Sequence, residues 1–427
     1  MGTVGGGTAN VLKRNAEEIA RRAGSDIIVT HAAARDLNKP RICDTSDITL
    51  TTDPQAVVND PEVKIIVELI GGDGLAYDLV MRAIENGKHV VTANKALIAK
   101  HGNEIFAAAQ KKGVMVAFEA AVAGGIPIIK SVREGLAGNR IEWLAGIING
   151  TGNFILTEMR DKGSDFAEVL AEAQRLGYAE ADPTFDIEGI DAAHKLTILA
   201  SIAFGIPLQF DKVFTEGITK ITGEDVNNAE ELGYRIKHLG IARRTAKGVE
   251  MRVHPTLIPE KRLIANVDGV MNAVLVMGDA VGPTLYYGAG AGDEPTASAV
   301  VADIVDVVRT LTSDPENRVP HLAFQPDAIS DLPVLSMDEV ETAYYLRMQA
   351  VDRPGVLADV TRILGERAIS IEALLQREPE AEEATVTIIM LTHRVLEKQM
   401  NDAIAQIESL DTVQGEVTRI RMERLSK

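Results

Sequence analysis

The spacing of apolar and polar positions divides the chain into three stretches. In the first, helical and extended patterns alternate. Residues 8–24 (TANVLKRNAEEIARRAG) carry apolar side chains at helical spacing and stop at Gly24. Residues 26–36 (DIIVTHAAARD) read as a strand. Residues 62–72 (EVKIIVELIGG) read as a strand buried on both faces, because the β-branched run is continuous and ends in glycines. A helix in GLAYDLVMRAIENGK (74–88) with Gly87 past its end, a strand HVVTANK and a strand GVMVAFEAAVAGG follow. Such alternation predicts a parallel sheet with helices on both faces, an α/β doubly wound domain over 1–125.

The middle stretch changes period. RIEWLAGIING is a long strand, SDFAEVLAEAQRLG and GIDAAHKLTILASIAFG are helices, and KGVEMRVHPTLI and GVMNAVLVMGD are antiparallel strands. This predicts an α+β substrate-binding and dimerisation domain over 126–312. Its last helix, 294–311, is strongly amphipathic and is expected to pack back on the first domain. Residues 313–343 are rich in Pro, Asp and Ser and read as a linker. The tail, 344–427, reads strand, helix, strand, strand, helix, strand, which is the ferredoxin-like βαββαβ order of a separate unit.

Composition narrows the function. The 427 residues carry 44 Lys+Arg against 62 Asp+Glu, a net charge of −18, which disfavours nucleic acid and anionic membranes as partners. The single cysteine, Cys43, excludes an internal disulfide and fits a reduced, cytoplasmic setting. The start lacks a secretory pattern, and the apolar run at 196–208 is too short and interrupted to span a bilayer.

Several constellations can carry chemistry. The opening MGTVGGGTANVLKRN runs a glycine cluster into a helix, and Gly2 and Gly5 have the spacing of the second and third glycines of a dinucleotide turn. A flexible terminus is the bland reading. After the next strand, Arg35 suits a 2′-phosphate and Asp36 a ribose, so both NADP and NAD stay open, with NADP favoured. Lys95 stands at the carboxyl end of a strand, where open α/β sheets bind ligands. Asp191 and Lys195, four apart, share one helical face. They are either a surface ion pair or a lysine held by carboxylates to protonate a carbonyl oxygen, with Glu180 and Asp186 just upstream. The small-residue loop 119–127 (EAAVAGGIP) brings carbonyl oxygens together and is a speculative site for a hard cation. Residues 286–300 (YYGAGAGDEPTASAV) form a second glycine-rich turn feeding a helix. His194 points about 100° away from Lys195 around the helix, so it is packed or exposed rather than catalytic. No paired-His spacing marks a transition-metal site. In the tail, DRPGVL places Pro354 and Gly355 at a helix start, suited to an amino-acid carboxylate or simply a tight turn.

With GTVG, TANKALIA, GGIPI, GIINGTGNFILT, YAEADPTFDIEGIDAAHKL and GAGAGDEPTASAVVADI together, the whole chain resembles the homoserine dehydrogenase family, in its long bacterial form with a C-terminal ACT domain. The resemblance implies a Rossmann-type first domain and the reversible NAD(P)H-dependent reduction of L-aspartate 4-semialdehyde to L-homoserine, toward threonine, methionine and isoleucine. It makes Lys195, Lys95 and Asp191 catalytic, and gives Glu180, Asp186, Asp191 and Thr151 to the substrate. Gly2, Thr3, Val4, Gly5, Arg35, Lys95 and Gly292 would contact the cofactor. A monovalent cation, Na⁺, would sit at Glu119, Val122, Gly124 and Ile126. Threonine would act at Asp352, Pro354, Gly355, Val356 and Leu357, and a homodimer or homotetramer is implied. The family begins with an apolar strand and a first glycine ahead of GTVG. This chain starts at Met1 without them, so the expected natural protein is about ten residues longer; the competing expectation is a catalytically impaired amino-acid sensor. An aspartate-semialdehyde dehydrogenase would need a nucleophilic cysteine, and Cys43 lies in a polar loop in no such motif.

Overall fold

The computed structural model describes residues 1–311, 318–376 and 385–425; residues 313–317 of the expected linker lie outside that set. The chain opens with two helices, Thr3–Arg14 and Ala16–Ala23, broken at Asn15 and closed by Gly24 in the left-handed region at φ 80°. The single helix expected over 8–24 is therefore two, because Asn15 leaves helical geometry (φ −107°, ψ 21°).

The parallel strands of this first region form two separate pieces. His31–Ala33 pairs with Thr49–Thr51, and Ile65–Glu68, His89–Thr92 and Val116–Ala117 pair in that order. Ile65–Glu68 is an edge strand on which Ile66 and Glu68 are buried while Ile65 and Val67 are only half-buried. The expectation that it is buried on both faces is thus corrected: an edge strand has a neighbour on one side only, and its second face is incompletely covered. The Met1 ammonium donates to the Ala33 carbonyl at 2.7 Å.

The Asp293–Thr310 helix packs on this region. A Cβ on Gly7 would come within 2.8 Å of the Asp293 carbonyl oxygen, so only glycine lets the starts of these two helices meet. Arg14 reaches across to Glu294 at 2.7 Å, and Ala297, Val300 and Ile304 share an apolar cluster with Val11, Leu12 and Val91.

Among the described residues, the remaining strands form one sheet of eleven. Its main path runs Gly282–Ala289, Met271–Gly278, Ile141–Ile147, Tyr234–Arg244, Val249–Pro259, Val413–Met422, Glu341–Val351, Thr385–Thr392, Ile371–Gln376. The C-terminal unit is therefore not detached. It keeps a core of its own, in which Leu346, Met348 and Ile388 face the helices Val356–Glu366 and Glu397–Glu408. Its other sheet face, with Tyr345, Ile389 and Ile420, packs against Phe154, Ile155 and Val226 of the middle region. A strand such as YYLRMQAV, apolar on both faces, requires cover on both. The join is the parallel pairing of Arg421 and Met422 with Thr256 and Leu257.

Charged side chains are buried along that join. Arg252 and Arg421 are both fully buried. Arg252 donates to Glu423 at 2.5 Å and to His254 Nε2 at 2.7 Å, and Arg243 donates to Glu423 at 3.0 Å. Burial alone would raise the Glu423 carboxyl, but Arg252 and Arg243 reverse it and hold it below its ordinary value. Removing one member of such a cluster strands its partner in a dry interior, at a cost of roughly 3–5 kcal/mol. No helix among the described residues is long and apolar enough to cross a membrane.

Candidate active site

The 15-residue helix Ile190–Phe204 is buried over nearly its whole length, so whatever polar groups it carries must find partners inside the protein. Gly189 begins it at φ 81° and Gly205 ends it at φ 63°. Asp191 and Lys195 lie one turn apart on it, 3% and 8% exposed. The bland surface-pair reading fails on those two figures.

Asp191 is the hub. Its Oδ2 accepts from Lys195 Nζ at 2.7 Å and from Asn149 Nδ2 at 2.8 Å, and its Oδ1 lies 2.5 Å from Lys95 Nζ. Lys195 Nζ also donates to the Ile148 carbonyl at 2.7 Å. Lys95 is the first residue of the helix Lys95–Lys112, whose N-terminus is capped by the Asn94 side chain, and its own side chain is 38% exposed. Asn149 caps the helix Gly150–Lys162 by accepting from Gly152 N at 2.7 Å, and its amide also donates to Asp186 at 2.7 Å. One asparagine thus fixes two carboxylates and a helix start.

The charges follow from this arrangement. Burial opposes ionisation of Asp191, yet two ammonium groups outweigh it and hold the carboxyl well below the usual range. Lys195 has its pKa lowered, first by burial and then by Lys95, with Asp191 opposing. Burial would lower Lys95 as well, but Asp191 raises it above its ordinary value. Asp186 is raised, chiefly by burial. Two lysines share one fully engaged carboxylate. Among the described contacts, Lys195 uses two of its three N–H donors.

Both oxygens of Asp191 are engaged by protein donors. The other carboxylates near the cluster are the half-buried Asp186, with one oxygen bonded to Asn149, and the exposed Glu180. Glu180 is near enough to Lys95 to raise its pKa. Thr151 donates to the Tyr178 carbonyl at 2.6 Å and so ties the loop that carries Glu180 to the capped helix. Asn149 is a site residue that the residue-by-residue reading missed; its position as an N-cap in the NGTGN run is the signal that marks it. His194 is packed, stacked on Phe210 at 4.2 Å, and burial lowers it to about 4.

The glycine turns lie apart from this cluster in sequence. Gly2 starts the Thr3–Arg14 helix and Gly292, at φ 129°, starts Asp293–Thr310, and neither end has a side-chain cap. The two helices meet where Gly7 faces the Asp293 carbonyl, and uncapped helix starts of this kind suit the phosphates of a dinucleotide. Thr3, Val4 and Gly5 form the first turn of the first helix. Arg35 is exposed beyond His31–Ala33. In the loop after Val116–Ala117, the Glu119 carboxylate accepts from Ile129 N at 2.8 Å and Lys130 N at 2.9 Å. It is raised to about 7 by burial and by Asp303. Its side chain is committed, so the oxygens the turn offers a cation are carbonyls. Gly124, at φ 47°, is pressed against Gly290, and Gly125 N bonds the Ala289 carbonyl at 3.0 Å, next to Val122 and Ile126. The described residues hold no group of three or more His, Cys, Asp or Glu side chains suited to a metal. Asp352, Pro354 and Gly355 form the turn between Glu341–Val351 and Val356–Glu366. Gly355 is at φ 99°, Val356 is buried, and Leu357 packs at the edge of the core.

Residues 127–305 match the homoserine dehydrogenase family model, residues 1–119 its NAD-binding domain, and residues 344–412 the ACT domain. A homoserine dehydrogenase of Pseudomonas aeruginosa is 70% identical over 426 residues, covering 100% of this chain and 98% of that protein.

The chain belongs to the homoserine dehydrogenase family.

A homoserine dehydrogenase of Bacillus subtilis is 37% identical over 424 residues, covering 99% of this chain and 96% of its own. The crystal structure of a homoserine dehydrogenase from Thiobacillus denitrificans superposes with a TM-score of 0.96 at 70% identity, covering 100% of this chain and 97% of that one. A hyperthermophilic archaeal homoserine dehydrogenase mutant in complex with NADPH superposes with a TM-score of 0.57 at 25% identity over 72% of this chain and 94% of that one. The family carries an NAD-binding domain, a catalytic domain and a C-terminal ACT domain.

Proposed function

We propose that the chain reduces L-aspartate 4-semialdehyde reversibly to L-homoserine, with Lys195 as the proton donor. The observation that carries this is the buried Lys195–Asp191–Lys95 cluster, in which two of the three Lys195 N–H donors have protein acceptors among the described contacts. A bound nicotinamide supplies hydride to the aldehyde carbon. The aldehyde oxygen then gains negative charge, and the Lys195 ammonium neutralises it and passes a proton to it. A lysine whose pKa is lowered by burial is a stronger acid than one in water, which suits that transfer. Charge stabilisation also counts most where water is excluded. Asp186 and Glu180 receive the substrate ammonium, Thr151 supports their loop, and Lys95 holds Asp191 from the open side.

The first turn of the Thr3–Arg14 helix and the turn at Gly292 hold the dinucleotide, and Arg35 favours NADP by pairing with a 2′-phosphate. The carbonyls of Glu119, Val122, Gly124 and Ile126 hold a monovalent cation, Na⁺. The Asp352–Leu357 turn takes threonine as a feedback effector, in a homodimer or homotetramer in the cytoplasm. An amino-acid sensor without activity is the poorer reading, because the donor set around Asp191 is complete. Cys43 lies beside Gly6, at the glycine turn, and offers no thioester route.

Consumption of NADPH on adding aspartate semialdehyde, and its reversal with homoserine and NADP⁺, tests the reading. Threonine binding with no turnover in either direction would favour the sensor instead.

A further inference from the structure

A line of contacts joins the C-terminal unit to the cluster around Asp191. Arg421, on the last strand, is fully buried and forks between two carboxylates. It bonds Glu397 through Nε at 3.0 Å and again through Nη2, and its Nη1 donates to Glu216 Oε2 at 2.8 Å. Glu216 belongs to the middle region. Its N–H bonds the Val253 carbonyl at 2.8 Å, and its carbonyl accepts from His238 Nε2 at 2.9 Å.

His238 lies under two helix starts. A Cβ on Gly189, which begins the helix of Asp191 and Lys195, would fall 3.1 Å from His238 Cε1, and one on Gly152 would fall 3.6 Å from Nδ1. Gly152 is the residue whose N–H Asn149 caps. Just past Glu216, Ile218 N donates to the Ile187 carbonyl at 2.9 Å, next to Asp186. A Cβ on Gly217 would lie 2.7 Å from that same carbonyl and 2.4 Å from Glu188 Oε2. Residues 216–218 therefore form a strap pressed on the substrate loop from one side and held by Arg421 from the other.

We propose that Arg421 of the ACT unit and Glu216 are positioning residues for the reaction, setting through the 216–218 strap and His238 where Asp186 and the Asp191–Lys195 helix start stand. Whatever moves the last strand then moves the substrate loop, while the glycine turns of the nucleotide region are left in place. The proposal rests on the dehydrogenase reading of the Lys195 cluster.

Two variants of the full chain test it. Glu216→Gln removes the charge that Arg421 holds but leaves the Arg421–Glu397 pair and the strap backbone intact. Gly217→Ala pushes the strap off Ile187 without touching Arg421. Both are expected to raise KM for aspartate semialdehyde or lower kcat by about tenfold, since small displacements of a reacting geometry cost that much or more. KM for NADPH should stay unchanged. Amide hydrogen exchange over residues 184–195 should be faster in both variants, and exchange in Met271–Gly278 should match the parent. Parental exchange over 184–195, parental aldehyde kinetics, or equal changes in both KM values would overturn the proposal. If the parent turns over no aldehyde, the dehydrogenase reading falls, and the exchange comparison still decides the positioning claim because it needs no substrate.

Discussion

Lys195 and Asp191 stand one helical turn apart in the interior, joined by a 2.7 Å hydrogen bond, with a second lysine on the other oxygen of the same carboxylate. Burial lowers the Lys195 ammonium, Lys95 adds to that, and Asp191 opposes it. Replacing Asp191 with Asn leaves Lys195 and Lys95 facing each other with no shared counter-charge. The Lys195 pKa then falls further, and the basic limb of the pH profile for aldehyde reduction shifts to lower pH. We expect kcat/KM at pH 8 to drop by about a hundredfold. Stability should drop by roughly 3–5 kcal/mol. A pH–rate profile of Asp191→Asn with an unmoved basic limb would show that this carboxylate does not set the lysine.

Acid should destabilise the fold well above the carboxylate range. His89, His194, His238 and His321 are each lowered from 6.5 to about 4 by burial. Below pH 6.5 the unfolded chain takes up protons that the folded chain refuses. The share of stability these histidines contribute is therefore fully present above about pH 6.5 and is lost as pH falls toward 4, by up to about 1.4 kcal/mol per pH unit for each, and the raised Glu119 carboxyl offsets part of that loss below about pH 7. Thermal unfolding midpoints at pH 7.5 and pH 5 check this. Equal midpoints would contradict buried neutral histidines.

The contact between Gly7 and Asp293 gives a test confined to the nucleotide side. Gly7→Ala places a Cβ 2.8 Å from a backbone oxygen that cannot swing aside. Overpacking of this kind costs about 1–3 kcal/mol and separates the two helix starts. KM for NADPH should rise while KM for the aldehyde holds. A change in the aldehyde KM alone would place the nucleotide elsewhere.

The sequence foretold those parts of the fold that depend on local pattern. The amphipathic helices Phe166–Arg175 and Asp293–Thr310, the buried helix Ile190–Phe204 and the βαββαβ tail all carry their period in consecutive residues. Tyr234–Arg244 was not legible as a strand, because Lys237 and His238 interrupt its apolar run; both are buried by partners far along the chain, Lys237 by the Val267 carbonyl and Asp268. Gly282–Ala289 was not legible as a strand, and its last four residues read as part of the glycine-rich turn at 286–300, because glycine and proline hide its extended pairing with Met271–Gly278. The i,i+4 spacing placed Asp191 and Lys195 on one face, but only tertiary structure could show that the face is buried. Asn149, Glu216 and His238 bear on the site through contacts that no sequence window contains. The continuity of the ACT sheet with the catalytic sheet rests on two pairs, Arg421 with Thr256 and Met422 with Leu257, and no periodicity predicts those.

The most direct test of the whole account is the rate of hydride transfer in Lys195→Ala, followed as NADPH loss in a single turnover with saturating aspartate semialdehyde. With its proton donor gone, the variant should be slower by about 10²–10⁴-fold while binding NADPH as the parent does. A rate within a few-fold of the parent would contradict the assignment of Lys195.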